Sequence, residues 1–275
     1  MNPLFETLGV VLIALLGVLL GKVFSRFRKS YWLFGYFLPL ALIAVLVLVR
    51  FNNMFYFVQP FSWITTGRTK FVILSLSVTM GLSVTMSRLP RKFERLLVQV
   101  LMVIVVIWFA VLPFLVPALL KNHLLNLKTK LNSNGICFQS TDYTCGPAAA
   151  VTALRKLGLP ADEGQIAVLS YTSPVTGTLP SCLSSAIQNH YGQAGLKCQF
   201  RRFDSIEQLR NAGITLAIVR ETFLLDHCLA VLEVSDHTVT VADPAAGTKM
   251  MSHRQFEKIW RFSGIVLERN QAQSI

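Results

Sequence analysis

The stretch Gln-Ser-Thr-Asp-Tyr-Thr-Cys-Gly-Pro-Ala-Ala-Ala, residues 139–150, places a cysteine where a helix is predicted to begin. Pro147 suits the first turn of a helix, where a missing N–H costs nothing, and the alanines after it favour a helix that ends before Gly158. A cysteine at a helix N-terminus lies at the positive end of the helix dipole, which favours the nucleophilic thiolate form. On these residues alone Cys145 is either a catalytic nucleophile or a small buried side chain.

The composition divides the chain into two unlike halves. The 275 residues are 53% hydrophobic and 15% charged, whereas about a quarter of the residues of a soluble domain are charged. Residues 1–134 hold 14 Lys+Arg and 2 Asp+Glu, while residues 135–275 hold 12 of each, so the net charge of +12 lies in the first half. Basic residues between apolar segments are typical of membrane proteins, and the balanced second half has no basic stripe for a nucleic-acid partner.

The first half contains apolar segments of the length that crosses a lipid bilayer. There are four of them: residues 4–20, 31–49, 71–86 and 96–120. The third is rich in serine, threonine and glycine, which typically face other helices. The last three segments contain no charged residue, which argues against an ion pathway. The sequence therefore predicts a transmembrane helical domain over residues 1–120, integral to a bacterial inner or plasma membrane.

The loops between these segments predict an orientation. Basic residues crowd the first and third loops: Lys22, Arg26, Arg28, Lys29, Arg88, Arg91, Lys92 and Arg95. The positive-inside rule places both loops in the cytoplasm, and the second half of the chain outside it. Residues 51–57 are rich in aromatics and are predicted to lie at the membrane interface. Leucines alternating with lysines predict an amphipathic linker over residues 121–134, lying on the membrane.

The second half reads as helices followed by strands, which predicts an α+β domain with an antiparallel sheet over residues 135–268 and a tail over 269–275. Helices are predicted at residues 162–169, 179–193, 205–211 and 254–260. Strands are predicted at residues 196–203, 214–219, 228–234, 238–242 and 264–267. The five cysteines form no CxxC pair and have no zinc spacing, so neither a metal nor a cofactor is expected. No phosphate-binding Gly-rich motif occurs, so no ATPase domain is expected in this chain.

A cysteine nucleophile needs a base, and the base needs an orienting group. His227 stands at the head of the predicted strand 228–234, where it can reach a cleft. Asp243 ends the next strand, and in a hairpin the start of one strand lies beside the end of its partner. We therefore expect His227 and Asp243 to be neighbours, although an Asp-Pro turn also explains the aspartate.

Gln139, Cys145-Gly146-Pro147, the histidine at a strand start and the Asp-Pro after the next strand together resemble the papain-like bacteriocin-processing peptidases. Those enzymes cleave leader peptides after a double glycine. The resemblance covers residues 135–268 and implies a papain-like cysteine peptidase domain. It implies Cys145 as the nucleophile, His227 as general base and acid, and Asp243 as the orienting carboxylate. It also implies Gln139 as an oxyanion donor beside the Cys145 backbone N–H.

Two features depart from that family. The residue before the cysteine is typically acidic there and is Thr144 here. Those peptidase domains also precede transporter helices and an ATPase, whereas here the helices come first. We therefore expect an exported or membrane-tethered peptide or protein as the substrate. Three alternatives stay open: a thiol amidase or acyltransferase of the same fold, a catalytically silent peptide-binding module on a membrane scaffold, and a transporter with an accessory domain.

Overall fold

A computed structural model describes residues 3–27, 29–51, 55, 57–62, 68–222 and 225–269. The chain divides into two compact units, Met1–Leu119 and Leu120–Ile275. The domain limits predicted from the sequence stay predictions. Most of the predicted aromatic loop, at positions 52–54 and 56, and most of the predicted tail, at positions 270–275, lie outside the described residues.

The first unit consists of apolar helices. They are α1 (Pro3–Ser25), α2 (Phe34–Phe51), α3 (Thr69–Arg88), α4 (Lys92–Val106) and α5 (Leu112–Leu119), with a π-helical turn at Ile107–Val111 between the last two. In the described part of the chain, four helical stretches are long and apolar enough to cross a membrane. These stretches are Phe5–Ser25, Tyr31–Val49, Thr69–Arg88 and Lys92–Leu119. The prediction of four apolar helices is therefore confirmed.

Helices α1 and α3 pack closely because two glycines of α1 face α3. A Cβ atom added at Gly21 would lie 2.5 Å from the backbone oxygen of Met80 and 2.6 Å from Cβ of Ser83, and one at Gly17 would collide with Thr79. Four hydroxyl residues of α3, namely Ser75, Ser77, Thr79 and Ser83, are buried, as the sequence predicts for a helix-packing face.

Gly21→Ala is expected to destabilise the helical unit by about 1–3 kcal/mol, because the new methyl group forces two tightly packed helices apart. Gly9→Ala is the matched control, since a Cβ at Gly9 meets no atom within 4 Å. Thermal unfolding of the full chain in detergent, followed by helical circular dichroism, compares the two. Equal melting temperatures for both variants would contradict this account of the packing.

The second unit combines helices with an antiparallel sheet. Its helices are α6 (Lys121–Leu125), α7 (Cys145–Lys156), α8 (Glu163–Leu169), α9 (Pro180–Tyr191), α10 (Ile206–Arg210) and α11 (His253–Ile259). Its strands are β1 (Lys130–Leu131), β2 (Cys137–Phe138), β3 (Leu196–Arg202), β4 (Ile214–Arg220), β5 (Asp226–Val234), β6 (Thr238–Asp243), β7 (Gly247–Ser252) and β8 (Trp260–Arg269). The main sheet has the order β3-β8-β4-β5-β6-β7, and β1 pairs with β2 apart from it. The α+β prediction is confirmed.

The short strands β1 and β2 were not predicted, and two strands of the main sheet differ from the sequence prediction. Strand β7 was not predicted, because it is an edge strand with consecutive exposed residues at Thr248, Lys249 and Met250 and so lacks the alternation of a half-buried strand. Strand β8 is longer than the predicted 264–267 and includes Trp260, which was assigned to the preceding helix. It lies between β3 and β4 and is buried over most of its length.

The predicted amphipathic linker, residues 121–134, is part of the second unit and packs against its helices. Leu124 of α6 is fully buried, and its carbonyl group lies so close to Gly164 that an added Cβ there would collide with it. Strand β1 pairs with β2. Contact of residues 121–134 with a membrane stays a prediction, and the buried Leu124 side chain is not available for it.

Helix α7 lies against the sheet and sets the position of its first residue. Its alanines at 148, 149, 150 and 153 have no exposed surface and belong to one core cluster with Leu216, Ala230 and Ala242 of the sheet. Small side chains on both surfaces let the helix approach the sheet closely. The N-terminus of α7 is thereby fixed near β5 and β6.

Candidate active site

Cys145 is the first residue of α7 and is partly buried. The turn before it is held by Thr144, which is fully buried. The hydroxyl group of Thr144 donates to the carbonyl oxygen of Thr141 at 3.1 Å and accepts the Thr141 N–H at 3.1 Å. Thr144 stands where the resembled family typically has an acidic residue. Its hydroxyl group therefore shapes the turn that presents the cysteine.

Gly146 explains how a second loop reaches the cysteine. A Cβ at this position would lie 2.9 Å from Cβ of Thr178, so only glycine lets the segment before α9 lie this close to α7. The hydroxyl group of Thr178 is 2.7 Å from that of the buried Thr172. The loop between α8 and α9 therefore borders the site.

His227 and Asp243 are brought together by the β5–β6 hairpin. The Nε2 atom of His227 lies 2.8 Å from Oδ1 of Asp243, and the two side chains are 13% and 8% exposed. His227 is the second residue of β5, and Asp243 is the last residue of β6. His227 and Asp243 are therefore neighbours, as expected from the sequence.

Asp243 forms hydrogen bonds with Ala245 and Lys249 in addition to His227. Its Oδ1 also accepts the Ala245 N–H at 2.9 Å, and its Oδ2 accepts from Nζ of Lys249 at 2.7 Å. Burial alone would raise the pKa of Asp243, but the hydrogen bonds from His227, Lys249 and Ala245 hold it well below its usual range. Asp243 is therefore ionised wherever the protein is folded near neutral pH. A role for Lys249 was not predicted from the sequence, because β7, the strand that carries this residue, was not predicted.

His227 also interacts with the side chain of Cys145. Burial alone would lower the pKa of His227, but the hydrogen bond to Asp243 and the interaction with Cys145 raise it from 6.5 to about 10. Because Nε2 faces Asp243, Nδ1 is left for the sulfur atom. The imidazole therefore keeps its proton at neutral pH, beside the sulfur atom of Cys145.

The other cysteines are in different surroundings. Burial raises the pKa of Cys137 to about 12, of Cys198 to about 11, and of Cys228 well above its ordinary value. These thiols stay protonated and are poor nucleophiles. In the described part of the chain, no group of His, Cys, Asp and Glu side chains could hold a metal ion.

Gln139 lies at the same end of the sheet. Its backbone N–H donates to the carbonyl oxygen of Pro244 at 2.9 Å, and Pro244 directly follows Asp243. Its side-chain Oε1 is buried and has no hydrogen-bond partner among the described residues. Such atoms are rare in native proteins, and many belong to functional groups.

A comparison with protein families decides the classification. Residues 133–274 match the model of the peptidase C39 family. The chain belongs to the peptidase C39 family. Its C-terminal half is thus a C39 cysteine peptidase domain with a papain-like fold and an antiparallel sheet, and it follows a helical region with four candidate membrane helices.

Relatives of this C39 peptidase match about half of its length. An uncharacterized protein of Methanothermobacter marburgensis is 31% identical over 146 residues, which cover 53% of this chain and 96% of that protein. The probable functional amyloid protease FapD of Pseudomonas aeruginosa is 29% identical over 133 residues, which cover 46% of this chain and 57% of FapD.

One solved structure similar to this chain is a double glycine motif protease from an AMS/PCAT transporter in complex with the leader peptide. It is 16% identical with a TM-score of 0.42, and the match covers 53% of this chain and 96% of that one. The peptidase domain of Streptococcus ComA is 18% identical with a TM-score of 0.41, and the match covers 48% and 96%.

Proposed function

We propose that this C39 peptidase is a membrane-anchored cysteine endopeptidase that cleaves a peptide or protein through a Cys145–His227–Asp243 triad. Gln139 is its side-chain oxyanion donor. The observation that carries the proposal is the 2.8 Å contact between Nε2 of His227 and Oδ1 of the buried Asp243, together with the interaction of His227 with Cys145. A silent binding module has no need of a cysteine paired with a buried, carboxylate-held histidine.

The proposed reaction begins with attack of the Cys145 thiolate on the carbonyl carbon of the scissile bond. A C–S bond forms, and the developing oxyanion accepts hydrogen bonds from the Gln139 side-chain amide and the Cys145 backbone N–H. His227 gives its proton to the leaving amine as the C–N bond breaks. His227 then takes a proton from water, which attacks the thioester and releases the acid and the Cys145 thiolate. Asp243 holds the imidazole in one orientation throughout.

The four apolar helices provide the proposed anchor, with the peptidase unit on the extracytoplasmic side as the loop charges predict. Anchoring raises the effective concentration of a substrate held at the same membrane. We expect this substrate to be an exported or membrane-tethered peptide or protein. The relative FapD is described as a probable functional amyloid protease, which supports a protein as the substrate.

The proposal is tested with the purified full chain and a peptide library, with cleaved bonds identified by mass spectrometry. Cleavage is expected with the wild type and to be absent with Cys145→Ala. Cys182→Ala is the matched control, since Cys182 is also a partly buried cysteine. Equal cleavage by Cys145→Ala would contradict the proposal. Acylation of Cys145 without cleavage of any peptide would favour the amidase or acyltransferase instead.

A further inference from the structure

A buried carboxylate next to the site has no part in the proposed reaction. Glu163, the first residue of α8, has no exposed surface. Its Oε1 accepts the Ser140 backbone N–H at 2.8 Å, and its Oε2 accepts the Ser140 hydroxyl group at 2.7 Å. No ion pair to Glu163 is found among the described residues. Burial of a carboxylate is costly unless hydrogen bonds compensate it, so this arrangement needs an explanation.

The hydrogen bonds of Glu163 fix the residue that follows Gln139. The Gln139 N–H is bonded to Pro244, and the Ser140 N–H is bonded to Glu163, so two consecutive backbone groups are held from two different elements. The Gln139 side-chain Oε1 has no partner among the described residues that could hold the amide in place. The direction of that amide therefore depends on how firmly its backbone is held.

The surroundings of Glu163 make the carboxylate itself rigid. Its own backbone N–H donates to the Thr129 hydroxyl group at 3.0 Å, and that hydroxyl group lies 3.3 Å from Oδ1 of Asp162. An oxyanion donor stabilises the transition state only if it is already in position when charge develops. A carboxylate fixed in this way can hold Ser140, and through it Gln139, in position before the substrate arrives.

We infer that Glu163 is a positioning residue that acts through Ser140 to orient the oxyanion donor Gln139. This inference rests on the proposed role of Gln139. A merely structural carboxylate would affect every reaction of Cys145 alike, whereas a carboxylate that acts through Gln139 affects only reactions that form an oxyanion. If Glu163 acts through Gln139, removal of Glu163 must no longer slow such reactions in a variant that already lacks Gln139.

Two small reagents separate these cases without a known substrate. p-Nitrophenyl acetate acetylates Cys145: the C–S bond forms, the ester C–O bond breaks, and p-nitrophenolate leaves through an oxyanion. Iodoacetamide alkylates the same sulfur atom by displacement of iodide and forms no oxyanion. Both rates are measured at the Cys145 peptide by mass spectrometry in the full chain. Glu163→Ala, Glu163→Gln, Gln139→Ala and Glu163→Ala with Gln139→Ala are compared.

Gln139→Ala is expected to slow acetylation by about 10²–10³-fold, as for loss of an oxyanion donor. Glu163→Ala is expected to slow it by about 10- to 100-fold, as for a misplaced catalytic group, and to leave alkylation unchanged. In the Gln139→Ala background the Glu163→Ala substitution is expected to change acetylation by less than about twofold. Glu163→Gln keeps one acceptor for Ser140 and is expected to lose less than Glu163→Ala. Glu257→Ala, an exposed glutamate of α11, is the matched control.

The inference is overturned if Glu163→Ala slows both reactions equally, leaves acetylation unchanged, or slows it as much without Gln139 as with it. If Glu163→Ala does not fold, Glu163→Gln and Ser140→Ala are judged by the same comparison. Failure of the proposed function is distinguished by other variants. In that case Gln139→Ala does not slow acetylation, and His227→Ala leaves both rates unchanged.

Discussion

His227→Ala is expected to slow alkylation of Cys145 by iodoacetamide about a hundredfold near pH ~6.5, because an ordinary thiol with a pKa near ~8.5 is about 1% ionised there. In the wild type the imidazole holds its proton up to about pH 10, since its interactions with Asp243 and Cys145 outweigh the effect of burial on its pKa. A protonated histidine next to a cysteine generally favours the thiolate form. Without the ring, labelling is expected to rise only as the pH approaches the ordinary thiol value.

The measurement is the rate of Cys145 labelling against pH in the purified full chain. His237→Ala is the matched control, because His237 is exposed in the β5–β6 turn. Labelling of Cys137, Cys198 and Cys228 is expected to stay slow in every variant, since burial raises their pKa values. Identical pH profiles for the wild type and His227→Ala would show that no Cys–His pair exists.

Asp243→Asn is expected to lower peptide cleavage by about 10²–10⁴-fold, the usual contribution of general acid–base catalysis, because the histidine loses its protonated form and its fixed orientation. Without the carboxylate charge, only the interaction with Cys145 still opposes the effect of burial on His227. Its pKa is therefore lowered from about 10 in the variant. The alkaline limit of activity should accordingly move to lower pH in the variant.

Asp142→Asn is the control for this change, because Asp142 is exposed and close to Cys145 in the sequence. Cleavage and alkylation are both followed against pH. An unchanged alkaline limit in Asp243→Asn, or an equal shift in Asp142→Asn, would contradict the assigned role of Asp243.

The same pair predicts how stability varies with pH. The folded pKa of His227 lies above its ordinary value, so its contribution is complete below about pH 6.5 and is lost as the pH rises through about 10. The folded pKa of Asp243 is lowered, so its contribution is present above its ordinary value of 3.8 and is lost only as the pH falls below that value. The two contributions are therefore present together between about pH 4 and 6.5.

The sequence indicates the residues of the proposed triad because each of them lies at the boundary of an element. Cys145 opens a helix, His227 lies next to the start of a strand, and Asp243 ends the following strand. Such boundaries are visible in sequence, since proline, glycine and polar residues mark them. Antiparallel pairing of neighbouring strands then places the histidine and the aspartate together.

The supporting residues could not be predicted in the same way. Glu163 and Ser140 are 23 residues apart, and an acidic residue at a helix start ordinarily faces solvent and interacts with the helix dipole. Lys249 belongs to an edge strand whose exposed residues show no alternation. Both contacts depend on how separate elements pack, which no local pattern records.

The length of the turn between β6 and β7 is restricted by the contacts that this turn makes with the site. Surface turns usually tolerate insertions. This turn is different, because Asp243 at its start holds the histidine and Pro244 holds the Gln139 backbone. One added residue would displace both attachments together. A change in the length of this turn is therefore expected to disrupt the site, and an inserted tag or domain has to be placed at another surface turn.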